Sequence, residues 1–143
     1  QEFWPGFFQA IDRVLAPGGR VGIQAITIPD QRFDQYVRHA DWIQKHIFPG
    51  GLLPCLREVC AVTARHTRLA VTDVEDRPLD YATTLRHWRA RFLACLDEVR
   101  AMGFDERFIR TWEYYLASCE AAFRTRNLGL LHLTLSRVGE DLA

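Results

Sequence analysis

The chain carries no excess of charge: eighteen basic and eighteen acidic side chains cancel over 143 residues. No long-range field therefore draws it to nucleic acid or to an anionic membrane, and nucleic acid is not expected as a partner. It also lacks any apolar run near the ~20 residues of a spanning helix; the longest, "LACL" and "LGLLHLTL", are short. The opening residues "QEFWPGFFQAIDR" show neither a charged leader nor a cleavage pattern, so a cytoplasmic chain is expected. Cys55, Cys60, Cys95 and Cys119 form no CxxC pair and fall on apolar faces of helical patterns, the signature of reduced core thiols. The histidines are scattered, and none stands at ligand spacing from another histidine or a cysteine, so no metal site is expected. Repeats, low-complexity tracts and linkers are missing as well, which leaves one domain with a sizeable core.

What is there reads as an α/β layer. Phe7, Phe8, Ile11, Val14 and Leu15 recur at helical spacing, with Pro5 in the first turn and Pro17-Gly18-Gly19 stopping the run. "RVGIQAIT" follows at once as a nearly continuous apolar strand, the kind covered by helices on both faces. A polar-aromatic helical stretch, "QRFDQYVRHADWIQKHI", leads to the turn "FPGG". Leu52, Leu56, Val59, Cys60 and Thr63 mark a further helix, and "RLAVTDVED" a short strand. Asp80 stands as N-cap of a long helix ended by Gly103, with a buried stripe of Leu85, Trp88, Phe92, Cys95, Leu96, Val99 and Met102. Phe108, Trp112, Tyr115, Leu116, Cys119 and Phe123 define its neighbour. In "LGLLHLTLSR" Leu131, Leu133 and Leu135 alternate with His132, Thr134 and Ser136, as in a strand. Three strands are few for an open α/β sheet, and the first element is a crossover helix with no strand before it. The pattern is that of the second half of a larger α/β domain.

Two residues stand out. Gln24 interrupts an apolar strand near its carboxyl end, where open α/β sheets bind ligands. A buried amide must be hydrogen-bonded or cost about 1–3 kcal/mol, so Gln24 either bonds a neighbouring loop or helix end or points into a pocket. Tyr81, just after Asp80, falls in a first helical turn, where an anion is favoured; the alternative is a tyrosine packed at a helix start. Phe33, Tyr36, Trp42 and Phe48 line an apolar groove or belong to the core. Arg124 and Arg126 suit a helix C-terminus and need no other account.

In order along the chain, "FFQAIDRVLAPGGR", "QAIT", "DWIQKHIFPGGLLP", "DYATTL" and "YYLASCEAAFRTRNLGLLHLTLSR" resemble the C-terminal half of cyclopropane-fatty-acyl-phospholipid synthases and the related mycolic acid cyclopropane synthases. The resemblance runs from Phe7 to Arg137. It implies a class I S-adenosylmethionine-dependent methyltransferase, a Rossmann-like fold whose seven-stranded sheet ends in an antiparallel strand. Residues 1–143 would then be a single partial domain holding the final crossover helix, the last three strands and an inserted helical lid at roughly residues 31–66. The chain contains no G-x-G, so the cofactor loop is expected upstream and the fragment alone is expected to be inactive. The missing initiator Met at residue 1 agrees with truncation.

The chemistry implied is methyl transfer from the sulfonium to an alkene carbon of an unsaturated phospholipid acyl chain. Loss of a proton from the new methyl to a bound bicarbonate then closes a cyclopropane. By resemblance, the bicarbonate ligands fall on Tyr81 of "DYATTL", on the backbone of Ile26 and, where the family has histidine, on Gln24. Glutamine still donates an N–H to an anion but carries no positive charge and shuttles no proton. A methyl- or methylene-branched product is therefore the first alternative, and a non-catalytic lipid- or partner-binding domain the second. The implied localisation is cytoplasmic with peripheral, transient membrane contact, and homo-oligomerisation is left open.

Overall fold

The computed structural model describes residues 2–140. Helix α1 (Trp4–Val14) precedes strand β1 (Arg20–Thr27), and Gly18 makes the turn between them at φ 69°, a left-handed conformation that glycine adopts without strain. Short helices α2 (Asp30–Tyr36) and α3 (Trp42–His46) lead to α4 (Leu56–His66) and β2 (Leu69–Asp76). Helices α5 (Pro78–Ala94), α6 (Leu96–Ala101) and α7 (Glu106–Arg124) come before the final strand, β3 (Gly129–Arg137).

The sheet order is β1-β3-β2, with β3 antiparallel to both neighbours. The last strand of the chain is thus inserted, reversed, between two strands that run parallel to each other. That is the arrangement the sequence resemblance implies. Its alternating leucines feed two layers. Leu131, Leu133 and Leu135 meet Phe8 of α1 and Val59 of α4 on one face, while Leu130 meets Leu85 of α5 with Leu116 and Phe123 of α7 on the other. Gly129 sits where a Cβ would stand 2.7 Å from Thr27 Oγ1, so the entry of β3 between β1 and β2 requires glycine there. At the other end, Arg137 Nε donates to Asp12 Oδ1 at 2.7 Å, and a second guanidinium N–H donates to the Leu15 carbonyl at 2.9 Å. Free carbonyls at the end of α1 are thereby satisfied.

Several expectations are corrected. β1 is not covered on both faces: Arg20, Gly22 and Gln24 are exposed and only Thr27 is buried, because the α5–α7 layer reaches only its carboxyl end at Ile26. The long helix starts earlier than expected, with Arg77 as N-cap and Pro78 in the first turn. Pro78 lacks the N–H that a first-turn position would leave unbonded anyway. Asp80 therefore lies inside α5, paired with Arg77 at 3.2 Å, and is no cap. The run also breaks at Cys95, and Trp88 and Met102 are exposed, so the buried stripe is narrower than the periodicity suggests. Leu52 precedes α4 in a loop. Of the cysteines, Cys55 and Cys119 are buried, but Cys60 and Cys95 are exposed; all four are free.

Candidate functional site

At the carboxyl end of β1, helices α3, α5 and α7 and the loop of residues 47–55 enclose an apolar cavity of about 360 Å3. Its walls include Ile26 from β1, Tyr36 from α2, Ile43 from α3, Phe48 and Leu53 from the loop, Tyr81 and Leu85 from α5, and Tyr115, Cys119 and Phe123 from α7. Ile26 and Tyr81, two of the residues singled out from sequence, therefore face one space. Tyr81 arrives there because the early start of α5 turns its fourth residue inward, edge-on to Phe123 at 4.9 Å and to Trp88 at 6.1 Å.

Gln24 does not line this cavity. It projects from the same face of β1 as Ile26, two residues nearer the strand's start, in line with the two-residue period of a strand. Its side chain is exposed and its Oε1 lies 3.1 Å from Nε2 of His132, its register partner on β3. Because an amide oxygen only accepts, this contact uses the tautomer that carries hydrogen on Nε2 and leaves the Gln24 amide hydrogens for another acceptor. The Nδ1 side of the ring is 3.8 Å from Glu75 on β2. The partner of the conspicuous amide is thus a cross-strand histidine, not the loop or helix end weighed from sequence. His132 escaped notice because it reads as an ordinary polar position in an alternating strand.

The four aromatic candidates separate. Tyr36 and Phe48 line the apolar cavity, Trp42 lines an adjoining one, and Phe33 is core at 2% exposure. Tyr115, Cys119 and Phe123 were legible only as a buried helical stripe; their i, i+4, i+8 spacing puts them on one wall.

Electrostatically the apolar cavity holds donors but no cation. Burial raises the Tyr81 phenol above its ordinary value, with Cys119 adding to the effect. Burial also pushes the Tyr115 phenol up to about 12 and the Cys119 thiol up to about 11. All three keep their protons at neutral pH, so the hydroxyls can donate to a bound acceptor and the thiol is a poor nucleophile. Asp41 is the one charged residue on these walls, and its Oδ1 accepts from the Gln44 backbone N–H at 2.8 Å to cap α3.

The adjoining cavity, about 400 Å3, shares Tyr36, Asp41, Ile43 and Leu128 with the first and opens past Arg32, His39, Ser118 and Asn127. Trp42 and Tyr114 meet edge to face at 4.7 Å on its wall. Both volumes fall in the range of small-molecule pockets. Among the described residues no group of three or more His, Cys, Asp or Glu side chains could hold a metal ion, and no helix is long and apolar enough to cross a membrane.

Comparison with known proteins finds the family model described as mycolic acid cyclopropane synthetase matching residues 1–133. The chain is 46% identical over 136 residues to a tuberculostearic acid methyltransferase of Mycobacterium tuberculosis, and 37% identical over 135 residues to the cyclopropane-fatty-acyl-phospholipid synthase of Escherichia coli K12. These matches take in 95% and 94% of this chain but 32% and 34% of the relatives, so the chain spans about a third of their length. Among solved structures, a mycolic acid cyclopropane synthase complexed with SAH and CTAB superposes with a TM-score of 0.82 at 26% identity, covering 94% of this chain and 50% of that one.

Proposed function

Because this chain belongs to the mycolic acid cyclopropane synthetase family, we propose that it forms the acceptor side of an enzyme that transfers a methyl carbon from S-adenosylmethionine to the double bond of an unsaturated phospholipid acyl chain. One observation carries the reading: an apolar, aromatic-walled cavity at the carboxyl end of β1, with Tyr81 and Ile26 on its wall. S-adenosylmethionine supplies an electrophilic methyl group; residues 1–143 contain no G-x-G turn to cradle it. What the chain supplies is the acceptor's surroundings. α2, α3 and the loop that follows act as the lid, while α4, grouped with the lid from sequence, sends Val59 into the sheet core.

Methyl addition to one alkene carbon leaves a cation on the other. The faces of Tyr81, Tyr115, Phe123 and Phe48 stabilise such a cation, and their bulk excludes water that would quench it. The residues also fit a small oxyanion such as bicarbonate beside it. The neutral Tyr81 phenol is the donor on the cavity wall, while Gln24 stands outside that wall on β1. Loss of a proton from the added methyl then closes a cyclopropane.

A second reading has its own support. By resemblance Gln24 falls where the family has histidine, and an amide cannot relay a proton; the relative at 46% identity is named a methyltransferase, not a cyclopropane synthase. A 1,2-hydride shift that moves the cation to the methyl-bearing carbon, followed by proton loss from that methyl, gives a methylene, and proton loss from an adjacent chain carbon gives a shifted alkene; a saturated methyl branch needs a hydride donor in addition.

The test is incubation of the full-length protein with methyl-labelled S-adenosylmethionine and unsaturated phospholipid vesicles, with mass and proton NMR of the recovered acyl chains. A one-carbon gain with high-field ring-methylene signals supports cyclopropanation, and the same gain with vinylic or branched-methyl signals supports the second reading. No label in lipid overturns both. Peripheral membrane contact belongs to this proposal, since the acyl chains reside in the bilayer.

A further inference from the structure

The cavity beside that of Tyr81, itself walled largely by apolar side chains, carries a charged group that the methyl-transfer chemistry does not use. Arg32 of α2 points to its mouth and donates to Asn127 Oδ1, a neutral acceptor, across to the loop between α7 and β3. The acids nearest in sequence are committed elsewhere. Asp34 pairs with Arg57 at 2.6 Å, and Asp30 Oδ1 accepts from the Arg57 backbone N–H at 3.0 Å. Among the described residues Arg32 thus has no carboxylate partner, while Gln35, His39 and Ser118 add hydrogen-bonding groups around it. Asp41, the acid on the wall shared with the apolar cavity, is engaged in capping α3. Two adjoining apolar-walled cavities, one bearing a guanidinium without a carboxylate partner, are complementary to an amphiphile with an anionic head, because guanidinium pairs bidentately with phosphate or carboxylate.

We propose that Arg32, with Asn127 and His39, forms a subsite for the anionic group that terminates the acyl substrate, a phosphodiester or a carboxylate, while the chain itself enters the cavity of Tyr81. This assignment rests on the acyl-chain reading above and adds the head-group class to it. Arg32 then selects which lipid is seated, and Tyr81 acts on the chain once seated.

Calorimetric titration of the full-length protein with monomeric 1-oleoyl-lysophosphatidylglycerol, oleate and neutral monooleoylglycerol tests this without requiring turnover. At least one of the two anionic ligands is expected to bind about tenfold more tightly than the neutral one, the scale of one charge-assisted hydrogen bond. Arg32→Gln should reduce that preference to about twofold or less while leaving monooleoylglycerol affinity unchanged, and Arg32→Lys should restore part of it. The anion that loses more affinity in Arg32→Gln identifies the source as phosphodiester or carboxylate. Equal affinity for charged and neutral ligands, or a preference unchanged in Arg32→Gln, overturns the subsite. Equal loss for all three ligands means that Arg32 only holds α2 against the Asn127 loop, and overturns it too. Head-group preference without methyl transfer would refute the function and leave the subsite standing; methyl transfer without preference would do the reverse.

Discussion

Replacing Tyr81 by phenylalanine removes one oxygen and keeps the ring. The ring makes the packing contacts: it is edge-on to Phe123 at 4.9 Å and to Trp88 at 6.1 Å and belongs to the cluster of Leu85, Leu116 and Leu130. Burial holds the hydroxyl protonated, and Tyr81 lines the cavity. The fold should therefore barely notice the change, with stability within about 0.5 kcal/mol of the parent, as for substitutions that break no contact. Activity should respond far more. If the hydroxyl donates to an anion beside the developing cation, its loss costs about 1.5–3 kcal/mol, the worth of a hydrogen bond to a charged group. That is roughly a ten- to hundredfold fall in turnover at constant cofactor affinity. Chemical denaturation and initial rates of label transfer from S-adenosylmethionine, measured on the same preparations of full-length protein, give both numbers. Turnover within twofold of the parent would refute the role of Tyr81. A fall in turnover matched by an equal loss of stability would show a structural hydroxyl instead.

Other consequences of the packing can be checked directly. Leu133→Ala empties a site that is 2% exposed at the centre of the sheet; about 3–4 kcal/mol of stability should be lost, read as a fall in Tm of roughly 10 °C, and a fall under 3 °C would mean the core collapses around the gap. Cysteine alkylation at neutral pH should modify exposed Cys95 first, while Cys55 and Cys119, buried and pushed up to about 11, react only on unfolding, as mass mapping would show. The hydrogen bond from Arg137 holds the Asp12 carboxyl below its ordinary value of 3.8. The ionised form is thus favoured by folding, so this contribution is complete above about pH 4 and disappears as pH falls through the depressed value. Asp12→Asn should accordingly flatten the acid side of the stability profile, and an unchanged profile would discount the pair.

Much of the fold was legible because short-range physics writes it into the chain. The proline-glycine stop after α1, the β-branched run of β1 and the alternating leucines of β3 each fix a local period, and the elements lie where those periods put them. Resemblance of whole segments then supplied the reversed last strand, which no local pattern encodes. The sequence alone also singled out Tyr81, since a helix start is a chemically distinct place, and the resemblance added Ile26. What it left open is which side chains meet across elements. That Tyr81 and Ile26 share a cavity with Tyr115 and Cys119, 34 and 38 positions after Tyr81, depends on α5 packing against α7. That Gln24 is exposed and joined to His132, 108 residues away, depends on the register of β1 with β3. Periodicity determines the face a residue takes on its own element; only the packing of one element on another decides what that face meets.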